Sequence, residues 1–212
     1  MCSAINSLIA GFKSFRAEYY EHRPERLREL SLHGQNPSVL MIACSDSRID
    51  PAIVTRAEPG ELFVVRNVAN LVPPYEPDGR YHGTSAAIEF AVRDLRLSDI
   101  VIFGHSQCGG IQALSKAMAG EVPERTFLTP WVTLIRDKCA DMLEAHPEDD
   151  DGSDSITERA AIRVSISNLL TFPWVHERVE QGTLTVHGWL FDLREGVLYG
   201  LDPATDAYVR LA

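Results

Sequence analysis

The sequence predicts an α/β fold: a mostly parallel central sheet flanked by helices, preceded by a helical arm and finished by an antiparallel closing strand. Three observations predict it. The short apolar runs Val39-Leu40-Met41-Ile42-Ala43, Glu61-Leu62-Phe63-Val64-Val65-Arg66 and Asp99-Ile100-Val101-Ile102-Phe103-Gly104 suit strands buried on both faces. Helical spacing recurs over 81–95, through Ala86, Ala87, Phe90, Ala91 and Leu95, and again from Gly109. Strand, helix, strand, helix in that order marks a parallel sheet with right-handed crossovers.

Ahead of the first strand, Ile5, Leu8, Ile9, Phe12, Phe15 and Tyr19 follow three-and-four spacing, an amphipathic helix. Its apolar stripe has two open destinations, its own core or a second subunit. Pro24 suits the first turn of a second short helix running to about Leu30. Further along, the acidic run Glu148 to Asp154 lacks the regular spacing of a calcium loop and reads as a solvated loop. Helical stretches follow near 157–170 and 173–181, divided at Pro173. Thr183–Phe191 and Val197–Leu201 read as a closing pair of strands around Arg194-Glu195-Gly196. No repeat or linker interrupts the chain, so 1–212 is read as one domain, with 1–33 the arm and 34–212 the α/β core.

Composition narrows the partners. A chain of 212 residues, 45% hydrophobic, buries about 70% of its unfolded surface. The formal net charge of −10 argues against a nucleic-acid partner, because phosphate backbones attract Lys and Arg surfaces. No window approaches the roughly 20 apolar residues a membrane span needs, and Met1 to Asn6 does not resemble an export signal. Four cysteines (Cys2, Cys44, Cys108, Cys139) are too sparse for a disulfide scaffold. A cytoplasmic protein with free thiols is expected, and free thiols are metal ligands.

Two stretches carry the chemistry. Cys44-Ser45-Asp46-Ser47-Arg48 follows the first strand directly. An extended backbone there puts Cys44, Asp46 and Arg48 on one side, with the guanidinium able to grip the carboxylate through two bonds. Gly104-His105-Ser106-Gln107-Cys108-Gly109-Gly110 follows the third strand. His105 and Cys108 stand three apart, so a turn or helix start points both the same way. Ligands of open parallel sheets bind beyond the carboxyl ends of the strands, where Cys44, His105 and Cys108 all fall. Two thiolates and an imidazole suit zinc, and three protein ligands leave the open position of a catalytic site. A helix beginning near Gly109 would turn its positive end toward Cys108. Gly104-x-Ser106-x-Cys108 superficially matches a hydrolase nucleophile elbow, but that turn has little room for a side chain at its last position. A serine hydrolase would also leave Cys44-x-Asp46-x-Arg48 unexplained.

The paired motifs Cys-Ser-Asp-Ser-Arg and Gly-His-Ser-x-Cys-Gly-Gly, about sixty residues apart, resemble those of the β-class carbonic anhydrases. Phe63 to Tyr75, Gly83 to Val92, Asn168 to Pro173 and His187-Gly188-Trp189 extend the likeness over nearly the whole chain. The resemblance implies one zinc ion per chain on Cys44, His105 and Cys108, and a dyad of Asp46 and Arg48. Asp46 is a possible fourth ligand in a closed state. It further implies Gln35 holding substrate or bicarbonate, a small pocket lined by Phe63, Val68 and Gly109, and a homodimer or tetramer. Phe90 is expected among the same substrate-binding residues and stands where plant members carry a tyrosine, so that hydroxyl is missing. Met41 and Phe191 stand where some bacterial members use a tryptophan and a tyrosine to bind regulatory bicarbonate, so no such site is expected.

The implied reaction is the reversible hydration of carbon dioxide to bicarbonate and a proton, by zinc-activated hydroxide. Two thiolates cancel the formal charge of Zn²⁺, so activity should rise with pH about a midpoint above the ~7 of three-histidine zinc. Asp46 would orient the nucleophile and Arg48 would hold Asp46. His22, His33, His82, His146, His176 and His187 are all chemically competent to carry the proton away, and none is singled out. Carbonyl sulfide or carbon disulfide hydrolysis on the same scaffold, a structural zinc protein, and a metal-free cysteine enzyme are the alternatives. Cys2 and Cys139 are read as ordinary residues.

Overall fold

A computed structural model describes residues 3–121, 125–149 and 155–212. Six strands form one sheet in the order β2-β1-β3-β4-β5-β6. They are β1 Val39–Cys44, β2 Leu62–Asn67, β3 Asp99–His105, β4 Thr185–Asp192, β5 Val197–Leu201 and β6 Tyr208–Arg210. The pairs β1–β2, β1–β3 and β3–β4 are parallel, whereas β4–β5 and β5–β6 are antiparallel. The expected closing pair, 183–191 and 197–201, forms as β4 and β5, and the short strand β6 adds to its edge. At three residues, β6 is too short to show a period.

The helices are α1 Ala4–Arg16, α2 Glu25–His33, α3 Pro51–Thr55, α4 Gly83–Glu89, α5 Gly109–Met118, α6 Leu128–Thr133, α7 Arg136–Ala145, α8 Ile156–Leu169 and α9 Pro173–Glu180. Both α1 and α4 run on into π-helical turns, to His22 and Asp94. Pro24 caps α2, one position before the helix. Most of the acidic run 148–154 lies outside the described residues, and Cys2 does too.

Alternation along the strands divides the core between the two faces of the sheet. Met41, Ala43, Val101 and Phe103 face Ile111 and Leu114 of α5, Ile135, Cys139 of α7, and Ala160, Ala161 and Val164 of α8. Leu40, Ile42, Ile100 and Ile102 face Ile88 of α4, Ala91, Val92, Val175 of α9, and Ile162 and Leu169 of α8. Ten of the fourteen residues of α8 are buried, so this helix is interior, and β3 and β4 lie against it. Its close approach depends on glycine. A Cβ on Gly104 or Gly188 would come within 2.8 or 2.9 Å of the Ile162 side chain.

The arm is different. The predicted stripe forms on α1, yet none of its residues is buried, and Ile5, Leu8 and Phe12 are 63%, 71% and 62% exposed. Within one chain the stripe has no core to join.

Connections leave β1 toward β2 and leave β3 toward β4, so β1 and β3 are neighbours whose chains depart in opposite directions. Such a reversal opens a crevice at the carboxyl ends of the strands. Cys44 and His105 end these two strands.

Candidate metal centre

Ala43 pairs with Phe103 across β1 and β3, which leaves Cys44 and His105 within one residue of the same level. After His105 the chain must turn sharply from strand to helix. Gln107 does this in the left-handed region, at φ 58°, and Cys108 then begins α5 as its cap residue. The turn is tied to β4: Ser106 N–H donates to the Phe191 carbonyl at 2.9 Å and Ser106 Oγ accepts Leu193 N–H at 2.9 Å. Gly110 lets α5 start against the 68–70 turn, since a Cβ there would lie 2.7 Å from Val68 and 2.9 Å from Ala69. Ala69 and Asn70 have φ of 67° and 49°, backbone that Asn adopts readily but that Ala adopts only when packing enforces it.

The result is a buried cluster. Cys44, His105 and Cys108 are 5%, 0% and 1% exposed, and their ligand atoms lie within 4.8 Å of one another. The two sulfurs stand 3.8 Å apart. Two sulfurs each ~2.3 Å from a tetrahedral zinc would be separated by about 3.8 Å. His105 Nδ1 donates to the Ser106 carbonyl at 2.9 Å, which fixes the tautomer because a carbonyl only accepts. The lone pair of Nε2 therefore faces the cluster, and this buried nitrogen has no hydrogen-bond partner. An orphaned buried acceptor is costly unless something binds it. The donor set fits zinc.

Electrostatics at the sulfurs favour thiolate. The Cys108 S–H holds the Cys44 thiol well below its ordinary range, against the effect of burial and with help from the N–H groups of Asp46 and Ala69. Bonding to Cys44 and then burial push Cys108 well up, against the N–H groups of Ile111 and Gly110.

Asp46 and Arg48 meet, though not by the extended backbone expected. The strand ends at Cys44 and the chain folds into a turn, with Arg48 N–H donating to Asp46 Oδ1 at 2.9 Å. Arg48 Nε and Nη2 grip the two carboxylate oxygens at 2.9 and 2.7 Å, and Nη2 also reaches the Gln107 carbonyl at 3.1 Å. Arg48 holds the Asp46 carboxyl far below the usual carboxylate range. Asp46 Oδ2 is 3.9 Å from His105 Nε2, beside the cluster and outside the ligand set.

Arg66 braces this turn from β2. Its guanidinium donates to the carbonyls of Cys44 (3.0 Å) and Asp46 (2.6 Å) and to the Asp50 carboxylate (2.9 Å). Asp50 in turn caps α3. Sequence reasoning read Arg66 only as the end of a strand; an arginine closing an otherwise apolar β run was the available signal. Glu158, whose Oε1 accepts the Cys108 N–H at 3.2 Å, was also missed. Its signal was Ser155-Ile156-Thr157-Glu158, the spacing of a capping box.

Gly109 follows Cys108 directly, and Val68 precedes Ala69, whose N–H acts on the Cys44 thiol. Val68 borders an apolar recess of about 530 Å³ with Phe127, Leu128 and Trp131, and Trp131 Nε1 donates to its carbonyl at 2.8 Å. Three expected pocket residues do not join them within one chain. Phe63 sits four residues, about 13 Å, down β2 from Asn67, the partner of Cys44. It packs on Phe90 with ring centroids 5.8 Å apart, and Phe90 is 43% exposed. Gln35 is exposed ahead of β1, and Cys44 closes the far end of that strand, about 16 Å of rise away. Met41 is packed inside the sheet face.

A mostly parallel sheet carrying a buried Cys-His-Cys triad beside a carboxylate, at its topological reversal, is an arrangement suited to a metal-dependent enzyme, and the donor set is one that zinc favours. Sequence comparison narrows this. A family model described as carbonic anhydrase matches residues 39–198. The carbonic anhydrase of Pseudomonas aeruginosa is 37% identical over 211 residues, 98% of this chain and 92% of that protein. The solved β-carbonic anhydrase CcaA superposes with a TM-score of 0.86 at 30% identity, covering 98% and 92% of the two chains. One of two tetrameric β-carbonic anhydrases from Sordaria macrospora gives 0.78 at 27% identity, covering 93% and 96%. The chain belongs to the carbonic anhydrase family, in its β class: a zinc-dependent lyase that hydrates carbon dioxide.

Proposed function

We propose that Cys44, His105 and Cys108 hold a single zinc ion and that Asp46 and Arg48 orient the attacking water for the hydration of carbon dioxide. The observation that carries this assignment is the buried, unpartnered Nε2 of His105 facing two sulfurs 3.8 Å apart. When bound, the metal supplies the Lewis acidity that ionises water near neutral pH. Asp46 Oδ2 accepts a hydrogen bond from the attacking water, aiming a lone pair at the carbon. Arg48 keeps that carboxylate ionised and oriented, and its second bond to the Gln107 carbonyl ties the dyad to the loop bearing His105 and Cys108. Val68 and Gly109 offer an uncharged flank to a substrate with neither charge nor dipole. Stopped-flow hydration of carbon dioxide, with and without a chelator, tests the reading. Activity that survives complete metal removal overturns it.

The same reading extends to assembly. Gln35, Phe63 and Phe90 act at a zinc site only if a second copy presents them, and the exposed stripe of α1 supports such an assembly. A homodimer or tetramer is the proposed state, tetrameric relatives being known. Among the described residues no helix is long and apolar enough to cross a membrane. A cytoplasmic setting is the proposed location, since a reducing compartment keeps the Cys44 and Cys108 sulfurs available to a metal.

A further inference from the structure

The peptide unit joining Gln107 to Cys108 is gripped at both edges. Its carbonyl accepts Arg48 Nη2 at 3.1 Å, and its N–H donates to Glu158 Oε1 at 3.2 Å. Glu158 is 4% exposed, in the first turn of α8, fifty residues from its partner in sequence. Burying a carboxylate is expensive unless charge-assisted hydrogen bonds hold it, so its presence behind a metal ligand calls for a reason.

Geometry supplies one. Gln107 turns at φ 58°, a conformation that Asn or Gly adopts more readily than Gln. Rotation of the 107–108 peptide plane would relax this turn and swing the Cys108 side chain. As a helix cap Cys108 makes no side-chain cap bond, and its sulfur is turned toward Cys44. A further restraint on its peptide comes from α8, the interior helix against which β3 and β4 pack.

We infer that Glu158 is the positioning residue of the Cys108 ligand, holding the 107–108 peptide plane so that the sulfur faces Cys44 and His105. Arg48 holds the opposite edge, so the dyad and the ligand loop share one peptide. This inference rests on the triad being the metal site. The aspartate that orients the water and the sulfur that binds the metal are thereby kept in register by one rigid unit.

The test compares the full-length protein with Glu158→Ala and Glu158→Gln. Zinc affinity is read by chelator competition, the thiolate-to-cobalt absorption band by Co²⁺ substitution, and melting temperature on the metal-free proteins. Loss of a group supporting a metal ligand typically weakens affinity 10–100-fold, and Glu158→Ala should do so with an altered cobalt band. Glu158→Gln keeps an amide oxygen for the same N–H and should stay within about threefold of the parent, roughly half the energy of one ordinary hydrogen bond. The inference is overturned if Ala binds zinc like the parent with an unchanged cobalt band, or if Gln loses as much affinity as Ala. A parent protein that binds no metal at the triad overturns the functional reading as well, which separates the two failures.

Discussion

Replacing Asp46 by asparagine removes one charge and turns one acceptor into a donor, at almost constant volume. Arg48 presently fills both carboxylate oxygens, at 2.9 and 2.7 Å. In the variant one of these contacts sets an amide N–H₂ against a guanidinium N–H, so the side chain must rotate or lose a bond. Both the anionic acceptor and its orientation beside His105 Nε2 are lost together. A positioned proton acceptor contributes about 10²–10⁴ in rate, or about 3–5 kcal/mol of barrier at 1.36 kcal/mol per tenfold. The lower end applies here, because the Asp46 side chain is 19% exposed and solvent partly replaces it. Stopped-flow hydration should therefore show kcat reduced about 100-fold, while zinc content, measured by elemental analysis, stays at the parental value. Parental kcat in a zinc-loaded Asp46→Asn protein would refute the reasoning.

Other expectations follow from the same contacts. Arg66→Met frees two carbonyls and the Asp50 carboxylate; with the arginine side chain 28% exposed, unfolding in urea should show a loss of about 2 kcal/mol, accompanied by lower hydration activity. Gly110→Ala pushes a methyl group into Val68 and Ala69 and should cost about 1–3 kcal/mol, seen as a lower midpoint of denaturation. Thiols must lose their protons to bind zinc, so with the Cys108 thiol pushed up zinc uptake by the metal-free protein at neutral pH should release protons. Calorimetry in buffers of different ionisation enthalpy measures this; a binding heat independent of the buffer would contradict thiolate ligation. Asp46 has its carboxyl depressed by Arg48, so its contribution is complete above the ordinary carboxylate range near pH 4 and fades only as pH falls further. Any change of rate between pH 6 and 9 should accordingly persist, in shape, in a variant with Arg48 replaced by lysine.

Much of the site was legible because its residues report locally. Cys44 and His105 follow apolar runs that could only be buried strands, and Cys108 stands before a helix, so three ligands at strand ends could be placed without coordinates. Contacts that bind one loop to another left weaker traces. Arg66 and Glu158 hold the ligand loops from 20 and 50 residues away, and no period or spacing encodes such a pairing. Asp46 and Arg48 were paired correctly for the wrong backbone reason, since a turn braced by Arg66 joins them. Phe63 and Phe90 have the composition of a pocket wall, but β2 is the edge strand of the sheet, and its outer residues face away from the triad of their own chain. The helices α6 and α7 drew no prediction. Leu128, Trp131 and Val132 of α6 and Cys139, Met142 and Leu143 of α7 do pack on the core at three-and-four spacing, but each stripe is little more than one turn long.

The most direct measurement is X-ray absorption at the zinc edge on the purified protein, paired with anomalous diffraction to locate the ion. The account predicts one zinc per chain with two sulfur neighbours near ~2.3 Å and one imidazole nitrogen near ~2.0 Å, bonded to Cys44, Cys108 and His105 Nε2, with solvent in the fourth position. A folded protein with no zinc there, or with zinc held by other residues, would contradict it.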